Sequence, residues 1–317
     1  MSNSSIAFLF PGQGSQSVGM GKDLCERYPV ARATLDEADE ALGTKLSQLC
    51  FEGPEEQLKL TENTQPAILT VSVAAWRVLS EKGIKLAFAA GHSLGEYSAH
   101  VAAGTISFAD AVRTVRQRGR YMQEAVPVGT GAMAAILGMN LDAVGEVCAA
   151  AAQGQVCEPA NINSPEQIVI SGDAAAVERG VKIAQERGAK RAVILPVSAP
   201  FHCSLMKPAQ DRLAADLQKL TFLTPGVPVV SNVYARPVEE TETSREALIR
   251  QVTASVRWSD SMQWLIQHGV QTFVEVGPGK VLCGLMRQID RSKKCLNVED
   301  EASLQKTAEF LASTPVG

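Results

Sequence analysis

No stretch of this chain stays apolar for the roughly 18 residues that a membrane span needs. The apolar run at residues 6–10 is stopped by Pro11 and has no lysine or arginine ahead of it, so it is too short and too neutral for a secretory signal. No Cys-x-x-Cys pair occurs. The seven cysteines (Cys25, Cys50, Cys148, Cys157, Cys203, Cys283, Cys295) are odd in number and scattered, which excludes a zinc knuckle and a thioredoxin motif. Free thiols in a reducing compartment are expected, and with them a soluble cytoplasmic protein. There is no basic block either: 30 Lys and Arg stand against 34 Asp and Glu, for a net charge of -4, so neither nucleic acid nor a membrane is an expected partner. Repeats and low-complexity tracts are missing as well. What remains is 317 residues, 45% apolar and 20% charged, enough for one large domain or two unequal ones around a substantial core.

Residues 6–10 and 86–90 read as buried strands, and helical periodicity follows each of them. Between residues 19 and 49 the periodicity is cut by Pro29 and Gly43. Stronger helices are expected at 65–82, with Thr64 as N-cap, and at 108–124. Strands leading into helices imply a parallel sheet covered on both faces. The pattern then changes. Strands at 131–137, 158–162, 167–171 and 191–197, with helices at 142–152 and 174–186, give the order β-α-β-β-α-β of a ferredoxin-like unit. The expected organisation is therefore a large α/β domain in two parts, residues 1–127 and 198–317, with a small ferredoxin-like domain at 128–197 inserted between them. Helices near 205–220, 245–252, 259–268 and 280–289 and strands at 227–231 and 272–276 complete the large domain. The ends, before residue 6 and after residue 313, read as loose.

Gly91-His92-Ser93-Leu94-Gly95 matches Gly-x-Ser-x-Gly, the strand-turn-helix bend that exposes a serine nucleophile. The string alone is weak, and a plain serine helix cap is its bland alternative. The strand before it and the helix after it favour the catalytic reading. The two glycines remove side chains that would clash in such a turn. The helix N-terminus would also favour a developing oxyanion.

A serine needs a base, and the chain has only four histidines. Alternation at the strand end points His92 away, His100 lies two helical turns beyond Ser93, and His268 sits at an exposed helix end. His202, in the loop after the 191–197 strand, remains as the base. No acidic residue ends a large-domain strand between Ser93 and His202. A Ser-His dyad, with the histidine oriented by a carbonyl or amide oxygen, is therefore expected instead of a triad. Arg118 falls on the apolar stripe of its helix with Ala111, Val112, Val115, Gly119 and Met122. A core-facing guanidinium is costly unless it meets an anion. That anion is either a carboxylate elsewhere in the fold or a substrate carboxylate clamped by Arg118. The glycine-rich turn after the first strand, Pro11-Gly12-Gln13-Gly14-Ser15, is neither a dinucleotide fingerprint nor a phosphate loop. Its Gln13 N–H could donate to an oxyanion, or the segment could be only a tight turn. Nothing in the spacing suggests a metal site.

These motifs stand in order with Gln117-Arg118-Gly119, Asn161-Ile162-Asn163-Ser164-Pro165, Pro200-Phe201-His202 and Glu275-Val276-Gly277-Pro278-Gly279. Together, over nearly the whole chain, they resemble the malonyl-CoA:acyl carrier protein transacylase family of bacterial fatty acid synthesis. The resemblance implies an α/β-hydrolase-like large domain with a parallel sheet and a ferredoxin-like insert. It also implies ping-pong transfer of malonyl from malonyl-CoA, through Ser93, to the phosphopantetheine thiol of acyl carrier protein. By the same resemblance the Gln13 and Leu94 N–H groups form the oxyanion hole, Arg118 pairs with the malonyl carboxylate, and Gln251 orients His202. Phe201 matches the malonyl-selecting pattern of related polyketide acyltransferases. No cofactor is implied, and the expected partners are coenzyme A and acyl carrier protein. A monomer is expected because no exposed apolar helix is evident. A serine esterase or thioesterase with the same nucleophile and base is the rival reading. A catalytically silent module that binds an acyl carrier is another.

Overall fold

The computed structural model of the protein describes residues 6–197 and 199–313. The loose ends expected before residue 6 and after residue 313 lie outside the described residues. Among the described residues ten strands form two sheets: β1 (Ile6–Phe10), β2 (Phe88–Gly91), β3 (Gly131–Leu137), β4 (Cys157–Ser164), β5 (Gln167–Asp173), β6 (Arg191–Ile194), β7 (Val229–Val230), β8 (Pro237–Val238), β9 (Thr272–Val276) and β10 (Lys294–Val298). The larger sheet has the order β10-β9-β1-β2-β7-β8 and is parallel except for the β7–β8 pair. The smaller has the order β4-β5-β3-β6 and is antiparallel throughout.

The unbroken apolar run of β1 follows from burial on both faces. Phe8 and Phe10 pack with Leu35, Val78 and Val274 on one side, while Ala7 and Leu9 pack with Trp258, Met262 and Phe273 on the other. The small sheet has its own core, in which Ile136, Ile168 and Ile170 meet Val144, Val147 and Val177 from its two helices. It carries the β-α-β-β-α-β order, so the chain is an α/β protein whose large parallel sheet is accompanied by a smaller ferredoxin-like one.

Pro29 opens the helix Pro29–Leu42 and Gly43 closes it with a left-handed C-cap, which explains the two breaks in the early periodicity. Other expectations need correcting. The helix expected from residue 65 starts at Thr61. Thr64 is not its cap, because its hydroxyl donates to Leu58 O at 2.6 Å. Strand β8, strand β10 and the final helix Glu301–Ser313 are among the elements added to those expected. Cys283, on the Val281–Ile289 helix, and Cys295, on β10, form a disulfide, so only five of the seven thiols are free. The fold brings that pair together because this helix packs on β10.

In a parallel sheet the loops at the carboxyl ends of neighbouring strands share one edge. Strand β1 lies beside β2 here, so the turn carrying Gln13 and the bend carrying Ser93 open on the same side.

Candidate active site

Strand β2 runs straight through Gly91-His92-Ser93-Leu94 into the helix Gly95–Ala102. The bend is possible only with glycine at its ends. A Cβ on Gly91 would lie 1.9 Å from Gly95 O, and one on Gly95 would lie 2.2 Å from Phe10 O. Both contacts are with backbone, which cannot swing aside. Ser93 itself sits at φ 53°, a left-handed conformation that costs a non-glycine residue about 1–3 kcal/mol. Two side chains grip its backbone: Ser93 N donates to Asn232 Oδ1 at 2.7 Å, and Gln251 Nε2 donates to Ser93 O at 2.9 Å. Asn232 Nδ2 also donates to Gly91 O at 2.7 Å, so one asparagine spans the bend.

His202 reaches Ser93 from the segment that follows β6, and it too has a positive φ, 60°. Its Nε2 lies 2.7 Å from Ser93 Oγ, and its Nδ1 lies 2.9 Å from the main-chain oxygen of Gln251. A carbonyl oxygen can only accept, so Nδ1 carries the proton and Nε2 turns its lone pair to the serine. Burial, aided by the positive charge of Arg118, holds this imidazole down to about 3, well below an ordinary histidine. At neutral pH it is a neutral proton acceptor.

Arg118 comes from the helix Phe108–Glu124 and is 1% exposed. Its Nη2 donates to Ser93 Oγ at 3.1 Å and to Gln251 Oε1 at 2.9 Å, and its Nη1 donates to Gln65 Oε1 at 2.7 Å. Every one of these partners is neutral, and among the described residues no carboxylate forms an ion pair with it. The structural ion pair that competed with a substrate clamp is therefore not seen there. Desolvation lowers the guanidinium's affinity for its proton, offset in part by Tyr97 and Glu96.

Ser93, His202 and Arg118 line one cavity of about 130 Å³, together with Gln13, Leu94 and Phe201. Gln251 stands behind it, fully buried. The main-chain oxygen of Gln251 holds the histidine, while its side chain ties Arg118 to Ser93 and to Glu96. Among the described residues Glu96 makes no hydrogen bond to His202. Burial pushes its carboxyl up to about 7, and its Oε2 accepts from Gln251 Nε2 and from Asn232 N.

The other histidines stand as follows. His92 lines the same cavity instead of pointing away from it, but its Nε2 is engaged by Asn163 Oδ1 at 2.9 Å and its ring tilts against Trp258. His100 is fully buried with neither ring nitrogen bonded among the described residues. His268 is exposed and stacks on Trp264.

Sequence reasoning missed Gln65, Asn232 and the bonds made by Glu96. Gln65 carries the same signal that exposed Arg118, a polar residue among apolar neighbours on a buried helix. Asn232 directly follows the strand read at 227–231, where ligand-facing residues of parallel sheets collect. Among the described residues no group of three or more His, Cys, Asp or Glu is placed to hold a metal ion, and no helix is long and apolar enough to cross a membrane.

The sequence and the fold both match known proteins. The acyl transferase domain family matches residues 7–308. The malonyl CoA-acyl carrier protein transacylase of Bacillus subtilis is 52% identical over 309 residues, spanning 97% of this chain and 98% of its own length. The solved transacylase of the same name from Coxiella burnetii superposes with a TM-score of 0.96 at 44% identity, covering 98% of each chain. A malonyl-transacylase solved in complex with a type II PKS acyl-carrier protein gives a TM-score of 0.95 at 47% identity, over 97% of this chain and 100% of that one.

Proposed function

This chain belongs to the acyl transferase family, among the malonyl CoA-acyl carrier protein transacylases, and on that premise we propose how its residues move a malonyl group from coenzyme A to acyl carrier protein. Ser93 Oγ attacks the thioester carbonyl of malonyl-CoA while His202 Nε2 takes its proton. The carbonyl oxygen becomes an oxyanion, which the N–H groups of Gln13 and Leu94 stabilise. As the C–S bond breaks, coenzyme A leaves with the proton from His202, and malonyl remains as an ester on Ser93. The phosphopantetheine thiol of acyl carrier protein then gives its proton to His202 and attacks that ester, and Ser93 leaves with the proton. One thioester is exchanged for another, so no cofactor is needed to drive the reaction.

Arg118 pairs with the free carboxylate of the malonyl group. Phe201 is 9% exposed, borders the cavity beside His202 and crowds an α-methyl branch, which favours malonyl over methylmalonyl by about 1–3 kcal/mol. One chain supplies every group in this scheme, so a monomer suffices. Both substrates are water-soluble, which suits a cytoplasmic enzyme.

The observation that carries the reading is the convergence of a base and a cation on one hydroxyl, with His202 Nε2 at 2.7 Å and Arg118 Nη2 at 3.1 Å from Ser93 Oγ. A plain esterase has no use for the buried guanidinium. The test is incubation with malonyl-CoA, with and without phosphopantetheinylated acyl carrier protein. Intact mass should show a malonyl adduct that persists alone and moves to the carrier once it is added. Rapid release of free malonate without acceptor would mark a hydrolase instead.

The buried imidazole gives a second expectation. General-base catalysis needs neutral His202, and a histidine lowered to about 3 keeps that form far into acid. The acid limb of kcat/KM for serine acylation should thus fall well below pH 6.5, the ordinary histidine value. Single-turnover acylation rates between pH 4.5 and 8 measure it, and a limb centred at 6.5 would show that His202 is solvated in the working enzyme.

A further inference from the structure

The Asn161-Ile162-Asn163-Ser164 segment of β4 is a sequence motif to which the reaction above gives no task. It forms the seam between the two sheets. Ile162 N donates to Val256 O at 2.9 Å, Val256 N donates to Ala160 O at 2.8 Å, and Asn163 holds His92. The register of β4 against β5 shifts between Pro159 and Asn161, a bulge of the kind that re-aims a side chain. Asn161 is 7% exposed, and it lines the Ser93 cavity. Of the cavity residues on the small-sheet side, Met133, Leu195 and Val197 are apolar and only Asn161 is polar. Among the described residues its carboxamide bonds no protein group.

Resting on the transacylase reading, we propose that the Asn161 carboxamide binds the secondary amide that lies two methylenes beyond the thioester sulfur in both coenzyme A and the carrier's phosphopantetheine arm. The polar points at the reacting end of the substrate are already met. The malonyl carboxylate needs a cation and has Arg118, and the thioester oxygen needs N–H donors and has the bend. The next polar group along the arm is this amide, which must both donate and accept when taken out of water. A carboxamide offers one group of each kind. An apolar wall with one aimed carboxamide suits an arm of methylenes interrupted by one amide.

The test compares two malonyl donors, the N-acetylcysteamine thioester and the S-(4-methylpentyl) thioester, which keeps length and branch but replaces the amide with hydrocarbon. Rates of Ser93 acylation are read by intact mass. The wild-type protein should prefer the amide donor, and Asn161→Leu should cut the ratio of the two rates by ~10-fold or more, because a buried amide is left without partners. Asn161→Asp, which keeps an acceptor and loses the donor, should fall between them. A merely structural role would slow both donors alike. An unchanged ratio in both variants overturns the assignment of Asn161 alone, while no adduct from either donor in the wild-type protein overturns the transacylase reading with it.

Discussion

Replacing Ser93 with alanine should remove the malonyl adduct altogether and lower malonyl transfer by ~10⁶-fold, to background. Without Oγ there is no atom on which the acyl group can rest between the two thiols, and a ping-pong exchange has no second route. The fold should survive. Among the described residues Oγ bonds only His202 Nε2 and Arg118 Nη2, and both also hold other partners, Gln251 O and Gln65 with Gln251 Oε1. The unusual backbone at Ser93 is gripped through its N and O, which alanine keeps. Alanine is thus expected to leave the denaturant midpoint close to wild type while activity vanishes. Intact mass after malonyl-CoA, together with urea unfolding, checks both halves. A variant that still turns over would place the nucleophile elsewhere.

The parts of this site that could be read in advance are those whose evidence is local. A Gly-x-Ser-x-Gly string between a strand and a helix predicts a bend, and the backbone clashes of a Cβ at Gly91 with Gly95, or at Gly95 with Phe10, show why the spacing is obligatory. A guanidinium on an apolar stripe announces itself as out of place. What could not be read is who meets whom across long separations. Asn232 bonds Ser93 across 139 positions, and Gln251 reaches Glu96 across 155, so neither leaves a periodic trace. His92 shows the limit of alternation as a guide. The strand ends at Gly91 and the bend takes over, so strand geometry no longer decides where the next side chain points. The same limit applies to the fold. Strand β1 is buried on both faces and reads as an unbroken apolar run, whereas edge strand β10, Lys-Cys-Leu-Asn-Val, mixes polar and apolar residues over five positions and signals nothing without β9 beside it.

The second large effect concerns selectivity. Arg118→Ala should cost malonyl transfer ~10²–10⁴-fold, the loss of about 3–5 kcal/mol that follows when a buried charge loses its partner. Acetyl transfer should suffer much less, or improve relative to malonyl. The reason lies in what surrounds the guanidinium in the resting protein. Gln65 and Gln251 hold it through neutral amide oxygens, and Glu96 acts on it only from a distance. A buried cation held this way is short of negative charge, and a dicarboxylic acyl group supplies it. An acetyl group leaves the cation uncompensated, so the wild-type protein penalises neutral acyl chains, and removing the charge removes the penalty. Arg118 also touches Ser93 Oγ, so some loss must fall on every substrate. The ratio of malonyl to acetyl transfer cancels that common part. Arg118→Lys should restore some of the preference, since a point charge still attracts a carboxylate but cannot grip it with two parallel N–H groups. The decisive measurement is acylation of Ser93 by malonyl-CoA and acetyl-CoA in the three proteins. Equal losses for both acyl groups would show that the guanidinium shapes the serine and reads nothing of the substrate.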